Sequence, residues 1–85
     1  MINRVIKINI KCFSLVSAAI SHSELTFDMP EGSTASDALE RVRKMNEAKL
    51  GALPIRVAVN QEYVTGDVVL KNDDEVALIP PVSGG

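Results

Sequence analysis

From Val5 to Phe13 hydrophobic and polar residues alternate. Ile6, Ile8, Ile10 and Cys12 fall on one side; Lys7, Asn9 and Lys11 fall on the other, and Phe13 continues the solvent side. A period of two built from β-branched residues predicts a strand with one buried face. Cys12 falls on the core side, where a lone cysteine behaves as a small hydrophobe. Glu24 to Met29 repeats the pattern: Leu25, Phe27 and Met29 point in, while Glu24, Thr26 and Asp28 point out. The two segments are expected to pair antiparallel, with Pro30-Glu31-Gly32 closing the second. Between them Leu15, Val16, Ala19 and Ile20 sit at helical spacing, which fits either a short helical turn or a packed loop. His22 reads as a solvated loop residue.

The period then changes. Thr34 is placed to cap a helix, and Asp37 three residues later completes a capping-box pattern. Ala35, Ala38, Leu39, Val42 and Met45 form one apolar stripe. Glu40, Arg41, Lys44 and Glu47 face water, with Glu40 and Lys44 spaced to pair. Gly51 marks the expected end of the helix, and Pro54 bars continuation. Ile55 to Val59 alternates as a third strand with Ile55, Val57 and Val59 on one face. Asn60-Gln61 is a turn, Tyr63 and Val64 begin a short return segment that Gly66-Asp67 interrupts, and Asn72-Asp73-Asp74 forms the last turn. Glu75 to Ile79 is the final strand, with Val76 and Leu78 on one parity and Glu75, Ala77 and Ile79 on the other.

The order is strand, strand, helix, strand, short strand, strand. One amphipathic helix and a sheet with one apolar face must cover each other. The first and last strands can lie side by side and parallel in the middle, with the helix in the crossover. This is an α+β fold of the ubiquitin-like β-grasp type, a mixed sheet on one main helix. A ferredoxin-like sandwich is the runner-up, but it needs a second helix.

Composition narrows the function. At 85 residues the chain forms one domain, with 46% hydrophobic residues to build a core. A net charge of -2 argues against a nucleic-acid footprint. One cysteine and one histidine exclude an internal disulfide and argue against a metal cluster. No apolar run is long enough to span a membrane. Lys7, Asn9 and Lys11 interrupt what would be a signal peptide's core, so a cytoplasmic protein is expected.

The remaining stretch carries the chemistry. After the last strand come Pro80, Pro81, Val82, Ser83, Gly84 and Gly85. Each proline fixes φ and lacks an N–H, so neither can continue a ladder. Pro81 biases Pro80 towards an extended conformation. Gly84 and Gly85 have no Cβ and can enter a passage too narrow for other residues. Residues 1–79 are therefore expected to form the body and 80–85 a flexible arm ending in the Gly85 carboxylate. Such a carboxylate can be activated elsewhere as an acyl-adenylate and taken by a sulfur or nitrogen nucleophile. The bland alternative is a frayed chain end.

Three runs, Pro30 to Leu39 (PEGSTASDAL), Val57 to Val64 (VAVNQEYV) and Asp73 to Gly85 (DDEVALIPPVSGG), resemble the small subunits of molybdopterin synthase, the MoaD-like sulfur carriers. The resemblance covers nearly the whole chain, and the PPVSGG ending is its most specific part. Two departures stand out. Residues 15–21 carry no charge where the family often has an Arg-Glu-Leu-like run and a glycine, and Asn72-Asp73-Asp74 replaces a frequent Asp-Gly-Asp.

The resemblance implies that an adenylating enzyme of the ubiquitin-activating type spends ATP on Gly85. A sulfur-transfer enzyme then supplies sulfur, ultimately from cysteine, to make a thiocarboxylate. The arm, Pro80 to Gly84, inserts into the synthase large subunit, and the sulfur goes to cyclic pyranopterin monophosphate to build the molybdopterin dithiolene. The assembly implied is a heterotetramer of two small and two large subunits. This chain would be a non-catalytic, sulfur-donating subunit without a bound cofactor, with no nucleic-acid or membrane partner. Family members meet their partners through hydrophobic residues at the positions of Phe13, Tyr63 and Ile79. Phe13 and Ile79 fall on the solvent parity of neighbouring strands, so a patch near the root of the arm is expected. The parity of Tyr63 is open, and Phe13 folding into the core with Ile79 covering the sheet end is the alternative. A sulfur carrier for thiamine or tRNA thiolation, a ubiquitin-like protein modifier, and a plain interaction module are the other readings.

Overall fold

A computed structural model of the chain describes residues 4–81. Strands β1 (Val5–Cys12) and β2 (Glu24–Pro30) flank helix α1 (Ser14–Ile20). Helices α2 (Ala35–Arg43) and α3 (Glu47–Leu50) follow, then strands β3 (Arg56–Val59), β4 (Glu62–Val64) and β5 (Glu75–Ile79). The five strands form one sheet in the order β2-β1-β5-β3-β4. The β1–β5 pair is parallel and the other pairs are antiparallel. The first and last strands thus lie together at the centre, as the pattern predicts, and the architecture is the ubiquitin-like β-grasp.

One face of the sheet carries the core. Ile6, Ile8, Ile10 and Cys12 of β1 are buried, as are Phe27 and Met29 of β2, Val57 and Val59 of β3, and Val76 and Leu78 of β5. Ala35, Ala38 and Val42 from α2, Val16 and Ile20 from α1, and Leu50 from α3 close over them. Fully burying one such branched side chain is worth about 1.5–3 kcal/mol. The helices leave the other sheet face uncovered, as antiparallel-rich sheets allow; there the small Ala58 is buried among its neighbours, while Ala77 and Ile79 are half-buried and Tyr63 is exposed.

The ambiguous 14–22 segment forms a helix over Ser14–Ile20, with Ser21 and His22 in the loop that follows. Phe13 is its N-cap but gives no side-chain cap, and Ser21 closes it in the left-handed region at φ 61°. Thr34 and Asp37 form the predicted capping box: the Asp37 N–H donates to Thr34 Oγ1 (3.2 Å) and the Thr34 N–H to Asp37 Oδ2 (2.9 Å).

The expected length of that helix is corrected. It ends at Arg43, and a separate helix starts after Asn46. The Asn46 side chain accepts from the Lys49 N–H and donates to the Ala19 carbonyl at 2.9 Å. This ties the break to α1, and a uniform helix from Thr34 to Gly51 would lose both bonds. Met45, expected in the apolar stripe, falls in the break and is exposed. Glu40 pairs with Arg43 (3.6 Å) rather than Lys44. The Arg43 guanidinium also donates to the Leu50 and Leu53 carbonyls, clamping the end of α3. Gly51 has a right-handed helical conformation, so no left-handed cap forms there.

A hydrogen-bonded turn fixes where β5 begins. The Lys7 N–H donates to Asn72 Oδ1 (2.8 Å) and the Asp73 N–H to the Lys7 carbonyl (2.7 Å). Asp74 accepts from the Lys71 N–H (2.8 Å) and from Asn60 Nδ2 (2.9 Å), while Asn60 Oδ1 accepts from the Glu75 N–H (3.0 Å). Asp73 takes φ 69°, the left-handed position that a glycine often holds. The turn therefore survives its departure from the family's usual sequence through side-chain bonds. Among the described residues no helix is long and apolar enough to cross a membrane.

Candidate functional site

β5 lies between β1 and β3, so the chain leaves the body from the middle of the sheet. Its register is set from both sides. Ala77 lies opposite Lys11 and Ala58, Leu78 opposite Cys12 and Val57, and Ile79 opposite Arg56. Val76 and Leu78 are fully buried and anchor the strand. The ladder stops where Pro80 offers no N–H. Pro80 is itself buried and Pro81 is exposed, so the packed body extends through the first of the two prolines. Val82, Ser83, Gly84 and Gly85, the expected reactive end of the arm, lie outside the described residues.

The structure places the three expected docking residues on or beside the open face. Ile79 is half-buried there, at the foot of the arm. Phe13 is 47% exposed and directly follows Cys12, the partner of Leu78, so it lies just beyond the end of β1, beside the level of Ile79. Tyr63 is 57% exposed and lies opposite Ala58. The parity that the sequence leaves open is thereby resolved: Tyr63 shares the face of Ala58, Ala77 and Ile79. It is separated from Ile79 by β3.

Two small residues, Ala77 and Ala58, form the middle of a row that runs from Lys11 to Tyr63. Lys11 forms an ion pair with Glu75 at 3.3 Å. The Arg56 guanidinium lies 4.0 Å from the centre of the Tyr63 ring. Arg56 thus bridges the gap between Ile79 and Tyr63. Sequence reasoning missed it, although its parity, opposite to Val57, already put it on the open face.

Among the described residues no group of three His, Cys, Asp or Glu side chains is placed to hold a metal ion. Burial pushes the Cys12 thiol above its usual pKa, which disfavours the reactive thiolate. His22 is exposed in the loop after α1. What the described residues bring together is a central strand, a proline exit and a mixed apolar and cationic surface beside it.

A mixed sheet with its first and last strands parallel at the centre, packed on one face by helices, makes this a ubiquitin-like β-grasp domain. The chain belongs to the ThiS family, whose model matches residues 13–85. It is 33% identical to the molybdopterin synthase sulfur carrier subunit of Arabidopsis thaliana over 81 residues, 94% of this chain and 84% of that protein. The putative molybdopterin converting factor, subunit 1, from Pyrococcus furiosus has the same fold at a TM-score of 0.81 and 29% identity. That match covers 91% of this chain and 99% of the other. The fold also recurs in a protein-protein complex of subunits 1 and 2 of the molybdopterin-converting factor from Helicobacter pylori. There the TM-score is 0.63 and the identity 20%, over 94% of this chain and all of the matched one.

Proposed function

We propose that this chain is the sulfur carrier subunit of a molybdopterin synthase and acts in the cytoplasm. The observation that carries the reading is the likeness, over nearly the full chain, to sulfur carrier subunits of that synthase. The fold supports it mechanically, because β5 ends at the sheet centre and points its continuation out of a well-anchored body.

In this reading the Gly85 carboxylate attacks the α-phosphorus of ATP on an adenylating enzyme of the ubiquitin-activating type. Pyrophosphate leaves and an acyl-adenylate forms. The terminal sulfur of a persulfide on a sulfur-transfer enzyme displaces AMP to give an acyl disulfide, and a thiol reduces its S–S bond, leaving the thiocarboxylate and a protein disulfide. The arm from Pro80 to Gly84 carries that group into the large subunit, where the sulfur passes to cyclic pyranopterin monophosphate. Hydrolysis restores the carboxylate, and two deliveries complete the dithiolene. This chain is consumed and regenerated as a cosubstrate, and the catalytic side chains belong to the large subunit. It holds no cofactor of its own; ATP is spent on the activating enzyme. Phe13, Ile79 and Tyr63 form the docking surface for the large subunit, two copies of each subunit making the synthase.

Intact mass spectrometry of the protein purified from cells with the sulfur-transfer machinery tests this. The expected mass is raised by the difference between sulfur and oxygen, and the modified protein forms molybdopterin with the large subunit. Conjugates of higher mass on a denaturing gel, with no thiocarboxylate, would instead establish a protein modifier.

A further inference from the structure

Arg56 stands on the open face of β3 opposite Ile79, the last strand residue before the arm. Its surroundings differ from those of the other well-placed arginines. Arg41 donates to the Asp28 carbonyl and Arg43 to the carbonyls of Leu50 and Leu53, so both guanidiniums tie parts of the fold together. Lys11, on the same face, is paired with Glu75. Arg56 is exposed, and no carboxylate among the described residues pairs with it. Its contact is the face of the Tyr63 ring at 4.0 Å.

That arrangement has physical consequences. A guanidinium stacked on an aromatic face gains a cation–π attraction and loses part of its rotamer freedom before any partner arrives. Stacking uses the flat face of the group and leaves its in-plane N–H donors available. Those donors match a carboxylate bidentately. Tyr and Arg are also the residue types that dominate interface hot spots. The stack sits between Ile79 and the end of the sheet and is continuous with the root of the arm. Arg56 lies opposite Ile79, the last strand residue before the arm, so a partner that grips the arm at its root comes close to this surface.

We infer that Arg56, held in place by Tyr63, is a specificity-determining residue of this surface, and that the large subunit receiving the arm covers it with a carboxylate. The inference rests on the sulfur-carrier reading and deepens it. It makes the docking surface an apolar patch with one fixed cation, so that a partner lacking the acidic group is disfavoured by an unpaired, desolvated charge.

Calorimetric titration of the purified large subunit with wild-type protein, Arg56→Glu and Arg56→Gln tests it, at low and high salt. Arg56→Glu is expected to weaken binding by about thirtyfold or more, the loss typical of a hot spot. Arg56→Gln keeps a hydrogen-bonding stem, removes the charge and covers the case in which charge reversal disturbs the sheet. It should bind more weakly than wild type and lose part of the salt dependence. Thermal melting of both variants should match wild type. Wild-type affinity in Arg56→Glu, or an unchanged salt dependence in a weakened Arg56→Gln, overturns the inference while the carrier reading stands. If wild-type protein neither binds the large subunit nor forms molybdopterin with it, the carrier reading fails and the inference falls with it.

Discussion

Two residues test the open face and its turn. Ile79 is half-buried, between the docking and the core-covering alternatives, but its parity puts it on the helix-free face. Ile79→Lys is therefore expected to leave the melting temperature nearly unchanged and to weaken binding to the large subunit by roughly 2 kcal/mol, as a hot spot would. Collapse of the fold in a melting experiment would show instead that the side chain belongs to the core, since a buried unpaired charge is strongly destabilising. The second residue is Gln61. The β3–β4 hairpin turns through Asn60 and Gln61 at φ 50° and 72°. Two successive left-handed residues make the turn type that favours Asn-Gly. Asn60 suits its place, and its side chain also binds Asp74 and Glu75. Gln61 has no such compensation among the described hydrogen bonds. Gln61→Gly should relieve left-handed strain and, after the extra entropy of the unfolded chain, stabilise the domain by about 0.5–1 kcal/mol in urea denaturation.

At the scale of elements, the capping box makes the start of α2 a local device. Thr34→Ala should cost about 1 kcal/mol of stability in the same measurement, with the sheet unaffected. That start was legible because everything it needs lies within four residues. The strands were legible for a similar reason: alternation in β1, β2 and β5 reports the burial of each residue directly. The break between α2 and α3 was not. It depends on Asn46 meeting the Ala19 carbonyl, a partner far away in sequence, so the stripe was read on through Met45. Leu70 is buried while its neighbour Val69 is exposed, and a run of three apolar residues in a loop has no period to say which of them turns inward. The candidate site divides the same way. Phe13 and Ile79 follow from strand parity, whereas the Arg56–Tyr63 stack depends on hairpin register, and the register depends on the Asn60–Gln61 turn.

For the whole molecule, the question is whether stability and delivery are separable. The strand that leads to the arm is well anchored in the sheet: Val76 and Leu78 are fully buried, and β5 has a partner on each side. Burial continues to Pro80 and ends before Pro81. Removing Gly85 leaves these anchoring residues in place, and stability is expected to change by less than about 0.5 kcal/mol, as for an ordinary surface change. Sulfur transfer should nevertheless be lost, because the shortened chain presents its carboxylate on Gly84, one residue short of the expected reach. Gly84→Val separates reach from passage. It keeps the length but adds a branched side chain at the position proposed to thread a narrow passage, so on that proposal it should fold normally by circular dichroism and slow activation or insertion. Cutting the chain before Pro80 should differ from both, since it removes a buried residue and should lower the melting temperature as well. Full molybdopterin formation by the Gly85 deletion would rule out Gly85 as the reacting residue, and a normal transfer rate for Gly84→Val would rule out the narrow passage.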